Sequence, residues 1–259
     1  MNGGPIADEA WQWLGRELDR WSAEDRQARF WWRDDDAGAP DRRLDRLLAL
    51  AGERRLPLAV AAIPTHLEDR LTDLLRTRPG ISILQHGFAH RNHAPAGERK
   101  LELGGSRTDA DILGDLRRGF ELLQARFGTR FVPVLVPPWN RLRAELIGDL
   151  PAIGFRGLSI MKARREAHPA PALLQVNSHL DPINWRHDGG FVGVYPAIAI
   201  LIQHLTARRI GYRDADEPTG ILSHHLVQNE AVWAFLDELL QFLAAHPAVE
   251  FVGAEQIWA

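Results

Sequence analysis

The sequence predicts an α/β protein: one irregular (β/α) barrel of seven or eight mostly parallel strands over residues 1–259, with residues 1–28 as an N-terminal helical extension. Three observations predict it. Segments with strand character alternate with segments of helical periodicity through most of the chain. The strands are continuous apolar runs rather than half-polar alternations, as expected of strands buried on both faces of a parallel sheet. Four of them end in polar residues, and in parallel α/β folds functional groups gather at the carboxyl ends of strands. A doubly wound open sheet is the alternative.

The elements follow in order. Asp8 to Arg26 reads as an amphipathic helix, with Trp11, Leu14, Leu18 and Trp21 at spacings of three and four. Ala28–Arg33 is an aromatic strand that runs into Asp34, Asp35 and Asp36. Pro40 to Arg55 is helical, with Asp41 as an early-turn acid. Leu56–Ile63 is a buried strand, Thr65–Thr77 a helix, and Ile81–Gln85 a third strand. His86–Arg107 is a loop rich in glycine, and its charged residues Glu98, Arg99, Lys100 and Glu102 read as solvated. Thr108–Phe127 is a helix with Thr108 as N-cap. Phe131–Val136 is a strand stopped by Pro137 and Pro138. A helix over Arg141–Leu150, short strands at Phe155–Ile160 and Leu173–Asn177, and a helix over Tyr195–Arg209 come next. Gly220–His224, Asn229–His246 and Val249–Val252 complete the pattern as strand, helix and strand.

Composition bounds the chemistry. Hydrophobic residues are 45% and charged residues 25%, ordinary for a globular chain. The absence of cysteine excludes disulfides, thiolate nucleophiles and cysteine-ligated zinc, so any metal sits on His, Asp or Glu. A net charge of −3 with both signs mixed along the chain gives no support for a nucleic-acid partner. The N-terminus has neither the basic nor the apolar region of a signal peptide, and the longest apolar run, Val192–Leu205, is short and interrupted. The expectation is a cytoplasmic protein with no membrane association.

The polar strand ends carry the functional reading. They are Asp34-Asp35-Asp36, His86, Pro137-Pro138-Trp139-Asn140 and Ser223-His224-His225. His86 and His90 are four apart and on a helical turn would face one metal, with His93 able to replace either. Three adjacent carboxylates repel unless a cation is present. Two imidazoles and one carboxylate leave coordination positions open for water and substrate. His224 ends a strand and suits a general acid or base. Asp181 is placed to orient it. Trp139 and Trp185 are candidates for stacking on a sugar ring, and Pro138, Asn140 and Asp181 complete the candidate substrate-binding set. Alone, each motif has a bland reading as an acidic turn, a capping histidine or a packed tryptophan; their convergence on one face outweighs it.

In their order, these motifs resemble those of the polysaccharide deacetylases of carbohydrate esterase family 4, the chitin-oligosaccharide deacetylase type. Phe-Asp-Asp-Gly is matched by Asp34-Asp35-Asp36-Ala37-Gly38, His-Ser/Thr-x-x-His by His86-Gly87-Phe88-Ala89-His90, the proline-containing third motif by Val136-Pro137-Pro138-Trp139-Asn140, and Leu-Leu-His by Leu222-Ser223-His224. The match covers residues 29–256. It implies an irregular barrel with zinc or a similar divalent ion on Asp36, His86 and His90, Asp35 as general base and His224 as general acid. It implies removal of an acetyl group from an N-acetylated sugar or polysaccharide. The departures are specific. An extra Asp34 leaves the register open, so that Asp34 and Asp35 are the alternative base and ligand. Val136 stands where the family has the arginine that orients the base, with Arg33 or Arg141 as replacements. Gly87 stands in place of Ser or Thr, and Asp181-Pro182-Ile183-Asn184-Trp185 matches the fourth motif only loosely. Two alternatives follow: a carbohydrate-binding protein of the same fold with weakened catalysis, and a metal hydrolase of another amide or ester.

Overall fold

A computed structural model describes residues 5–186 and 189–259. The elements are α1 (Pro5–Ala23), β1 (Ala28–Ala37), α2 (Arg42–Arg54), β2 (Leu58–Ala62), α3 (Asp69–Arg76), β3 (Ile81–His86), α4 (Asp109–Phe127), β4 (Phe131–Val136), α5 (Leu150–Ile153), β5 (Gly157–Leu158), β6 (Leu174–Gln175), α6 (Val194–Arg209), β7 (Thr219–Ser223), α7 (Glu230–Ala245), β8 (Val249–Phe251) and α8 (Ala254–Ile257). The strands form one sheet in the order β6-β5-β4-β3-β2-β1-β7, with β8 paired to the start of β1, and every ladder is parallel. The two ends of the curled sheet meet without a ladder. Leu180, downstream of β6, forms a single bridge with Ile221 of β7, supported by His179 and Leu180 amides donating to the Gly220 carbonyl. The barrel is therefore irregular, as the alternation of elements predicts, and among the described residues no helix is long and apolar enough to cross a membrane.

Local chemistry explains most element ends. Asp41 is the N-cap of α2, its carboxylate accepting from the Arg43 and Leu44 amides, rather than a residue within the first turn. Thr108 and Asn229 cap α4 and α7 in the same way. Two expected helices are shorter than their periodicity suggests. Thr65–Thr77 divides into a 3₁₀ turn at Pro64–His66 and α3. Arg141–Leu150 becomes a 3₁₀ segment, Ala144–Asp149, leading into the four-residue α5, which Gly154 ends in a left-handed conformation.

Strand parity then sorts the site. Successive side chains of a strand point to opposite faces. On β1, Phe30 and Trp32 pack in the layer between sheet and helices, while Trp31 packs with Ala59, Ala61, Leu84, Val134 and Val136 on the inner face of the curl. Arg33 and Asp35 share the parity of Trp31, and Asp34 that of Trp32. β1 also runs on through the carboxylates, pairing Asp34 with Ser223 and Ala37 with Ala62, instead of stopping at Arg33.

Candidate metal centre

Asp36, His86 and His90 come together at the carboxyl ends of β1 and β3. Asp36 lies where the register of β1 shifts between Asp34 and Ala37, in a left-handed conformation, φ 76°, which turns its carboxylate away from the parity of Asp34. Its Oδ1 lies 3.0 Å from His86 Nε2 and 3.2 Å from His90 Nε2. His86 ends β3, but His90 is not on a helical turn with it, as the spacing of four suggests. Residues 87–90 form a loop with Gly87 at φ 55° and His90 at φ 51°, and this reversal brings the second imidazole to the same carboxylate oxygen. His93 is not part of the group.

The protons show what fits there. His86 Nδ1 is 3.0 Å from the Val136 carbonyl, which only accepts, so Nδ1 carries the hydrogen. In neutral His86 the Nε2 lone pair therefore faces a carboxylate oxygen that has no hydrogen-bond partner of its own. Two electron-rich atoms at 3.0 Å need a cation between or beside them. A proton on His86 answers this, as does a divalent ion, and the carbonyl-anchored Nδ1–H is the usual arrangement behind a metal-ligating histidine. The same tension appears in the titration of the group. Burial opposes ionisation of Asp36, but contact with His86 and the nearby charges of His86, His224 and His90 hold its carboxyl well below the usual range. Burial likewise opposes charge on His86, and Asp35 and Asp36 reverse the direction and raise it. His90 is lowered, by burial first and then by His86.

Asp35 is held by Arg33. Arg33 Nε stands 2.9 Å from Asp35 Oδ1, and its NH2 donates to Oδ2 at 3.0 Å, both side chains being buried. The guanidinium is fixed in turn by Ser159 Oγ at 2.7 Å, the Ser159 carbonyl at 3.2 Å and Asn140 Oδ1 at 2.8 Å. Arg141, the other candidate for this role, points outward and donates to the Lys100 carbonyl. Asn140, expected among substrate-binding groups, uses its side-chain oxygen on Arg33. Asp34 is on the opposite face. Its oxygens accept from Ser223 Oγ at 2.6 Å and the His225 amide at 3.1 Å and contact His225 Nδ1 at 2.5 Å. That buried pair accounts for the third carboxylate without a metal.

Across the site, His224 Nδ1 is buried and 4.0 Å from Asp181 Oδ2, which accepts from Trp185 Nε1 at 2.7 Å. Burial raises the Asp181 carboxyl, against the opposing influence of His224 and Trp185. The Trp185 ring, 54% exposed, meets His224 edge-on at 4.9 Å. Trp139 sits on the other wall, 4.5 Å from the His90 ring, in a 3₁₀ turn at Pro138–Asn140 with Lys100 over its outer face. Pro138 is buried in the same turn and touches the space beside Gly87. The Asn140 and Arg141 amides are used within the turn on the carbonyls of Pro137 and Pro138.

Sequence reading missed two supports. Ser159, one residue past β5, belongs to no motif. Glu102 reads as one of several solvated loop charges, but it is buried, 1% exposed, with its carboxylate on the amides of Phe88, Ala89 and Arg91.

A second group, His179, His204 and Glu217, also has metal-ligand spacing and is fully internal. Here the protons argue against an ion. His179 Nδ1 accepts from the Gly220 amide at 2.9 Å, so neutral His179 carries its hydrogen on Nε2, the atom that faces Glu217 at 3.5 Å. Glu217 already accepts from the Arg164 and Asn177 amides. The cluster ties residues 177–179 to β7 where the barrel closes.

No protein-family model and no curated protein matches the sequence. Solved structures do. A carbohydrate esterase family 4 esterase from Streptococcus mutans superposes with a TM-score of 0.59 at 12% identity, over 92% of this chain and 90% of that one. The chitin deacetylase of Colletotrichum lindemuthianum gives 0.52 at 14% identity, over 89% and 87%. A mutant of BA3943, described as a pseudoenzyme of family 4 with restored activity, gives 0.56 at 11% identity, over 91% and 68%. The chain has the fold of these proteins.

Proposed function

We propose that the chain is a divergent member of carbohydrate esterase family 4 that hydrolyses the amide of an N-acetylated sugar or polysaccharide. The observation that carries the reading is the convergence of the His86 and His90 Nε2 atoms on Asp36 Oδ1, one residue from an Asp35 that Arg33 fixes.

Asp36, His86 and His90 would hold the divalent ion, zinc on the chemistry of two imidazoles and one carboxylate. Such an ion supplies Lewis-acid polarisation of an acyl oxygen and makes water a competent nucleophile near neutral pH. Asp35 takes the proton as water attacks. Its clamp to Arg33, Ser159 and Asn140 fixes the direction of its lone pairs, and such a general base contributes about 10²–10⁴-fold. An amide nitrogen leaves only when protonated, and His224 on the opposite wall is the donor. Asp181, held by Trp185, orients that imidazole from its Nδ1 side. Trp139 and Trp185 stand on opposite sides as sugar-facing walls, Trp185 being the more exposed.

The test is acetate release from a panel of N-acetylated oligosaccharides by zinc-loaded protein, alongside Asp35→Asn and His224→Ala. Release by wild type, with losses of 100-fold or more in each variant, is expected. Turnover of only non-sugar amides or esters would overturn the substrate, and failure of wild type to bind any divalent ion would overturn the metal chemistry. The reading of a weakened, carbohydrate-binding protein rests on the absent third-motif arginine, and Arg33 removes most of its ground.

A further inference from the structure

We propose that Glu102 is the positioning residue of the metal-ligating loop, holding residues 87–91 in the one conformation that delivers His90 to Asp36. This deepens the proposed metal chemistry and rests on it.

The loop has no ladder of its own. Between the end of β3 and residue 91 the backbone passes through two left-handed residues, Gly87 and His90, and its amides point inward, where an unpaired N–H is costly. One carboxylate meets this need. Glu102 Oε1 accepts from Ala89 at 2.7 Å and Arg91 at 3.4 Å, and Oε2 from Phe88 at 3.2 Å, so the bonded amides bracket His90 on both sides. Successive amides converging on one anion form a nest, here occupied by a side chain of the same protein. Glu102 has no hydrogen bond to the ligands' ring nitrogens or to Asp36; its bonds are to the backbone, and its charge also favours a cation at His90. Trp139 packs on the His90 ring, so backbone and ring are fixed by different residues.

Gly87 records the arrangement. A Cβ there would lie 2.0 Å from Glu102 Oε2 and 2.6 Å from Pro138. The carboxylate fills the space a residue-87 side chain would take, and three backbone bonds stop it from moving aside. Residues 87 and 102 are therefore coupled: any side chain at 87 displaces the group that holds 88–91.

The experiment is zinc binding to metal-free protein by calorimetry, with the visible spectrum of the cobalt-substituted protein as a report of ligand geometry. Glu102→Gln keeps the shape but turns an N–H₂ toward amides that need an acceptor. Zinc affinity is expected to fall roughly 10–100-fold, as for other groups that orient metal ligands. The cobalt spectrum should change, and metal-free unfolding should remain a single transition. Gly87→Ser should weaken binding in wild type and less so in Glu102→Ala. A variant-free measurement stands beside these: amide exchange at 88, 89 and 91 in metal-free wild type should be slow. Wild-type affinity and spectrum in Glu102→Gln, or exchange at unstructured rates, overturns the role of Glu102 while leaving the metal site intact. Absence of zinc binding by wild type overturns the metal site itself, and Glu102's role with it.

Discussion

Replacing Arg33 with methionine is the sharpest single perturbation of the site. Arg33 is fully buried, its guanidinium within 3.0 Å of both Asp35 oxygens, and Asp35 is buried beside it. Methionine fills much of the volume without a charge. What remains is a carboxylate in the inner face of the sheet with its cation gone, and breaking a buried pair from one side costs about 3–5 kcal/mol. Ser159 Oγ and Asn140 Oδ1 also lose their donor, adding about 1 kcal/mol each. The metal-free variant should therefore lose roughly 5–7 kcal/mol in urea denaturation. Adding Asp35→Asn removes the stranded charge, so the double variant should recover at least half of that loss. Activity should not recover, since Asp35→Asn removes the proposed base. Acetate release by Arg33→Met should be lower than wild type by 100-fold or more. A loss under 1 kcal/mol, or a double variant less stable than Arg33→Met, would refute the assignment of Arg33 as the partner of Asp35.

Two further predictions rest on independent parts of the molecule. Asp36→Asn should abolish zinc binding measured by calorimetry, whereas Asp34→Asn should keep one zinc per chain and lose about 3–5 kcal/mol of stability through its buried His225 partner; the reverse pattern would shift the ligand register by two. Acid should destabilise the barrel closure. Burial, then the charge of Arg208, pushes His179 down to about 3, and burial, then His179, pushes His204 down to about 2. In the unfolded chain both titrate near 6.5. Below that pH the unfolded chain takes up protons that the folded chain refuses, so stability falls as pH drops from about 6.5 toward 3, by about 1.4 kcal/mol per unit for each histidine, and is unaffected by them above 6.5. His204→Phe should flatten the fall in urea denaturation between pH 4 and 6.5; an unchanged slope would reject the cause.

The strand–helix order was legible because apolar runs and helical periodicity are local signals, and most element ends came within a few residues. The register of the three aspartates was not. Both faces of β1 are buried, so hydrophobicity does not distinguish the face of Trp31, Arg33 and Asp35 from that of Trp32 and Asp34. Only pairing with β2 and β7 settles which face is inside. The geometry of His90 was misread for a related reason: a spacing of four suits a helical turn, but the left-handed residues that make it a loop depend on Glu102, fourteen residues beyond Phe88. Long-range partners of loop charges leave no local periodicity, which is why Glu102 reads as solvated and Ser159 does not register at all.

Two of the departures from the family pattern are informative when each is followed into space. Position 136 lacks the arginine, and its side chain joins the inner apolar cluster, yet a guanidinium reaches Asp35 from β1. Position 87 lacks the hydroxyl, yet a carboxylate from the following loop occupies the volume it vacates and bonds the amides around His90. A buried guanidinium and a buried carboxylate are both costly to desolvate, and replacing a whole buried ion pair by apolar residues is often no less stable. Here both are present, one at the proposed base Asp35 and the other around the proposed ligand His90. That concentration of expensive polar support around one carboxylate and one imidazole argues for a working hydrolytic site reached by a different arrangement of residues.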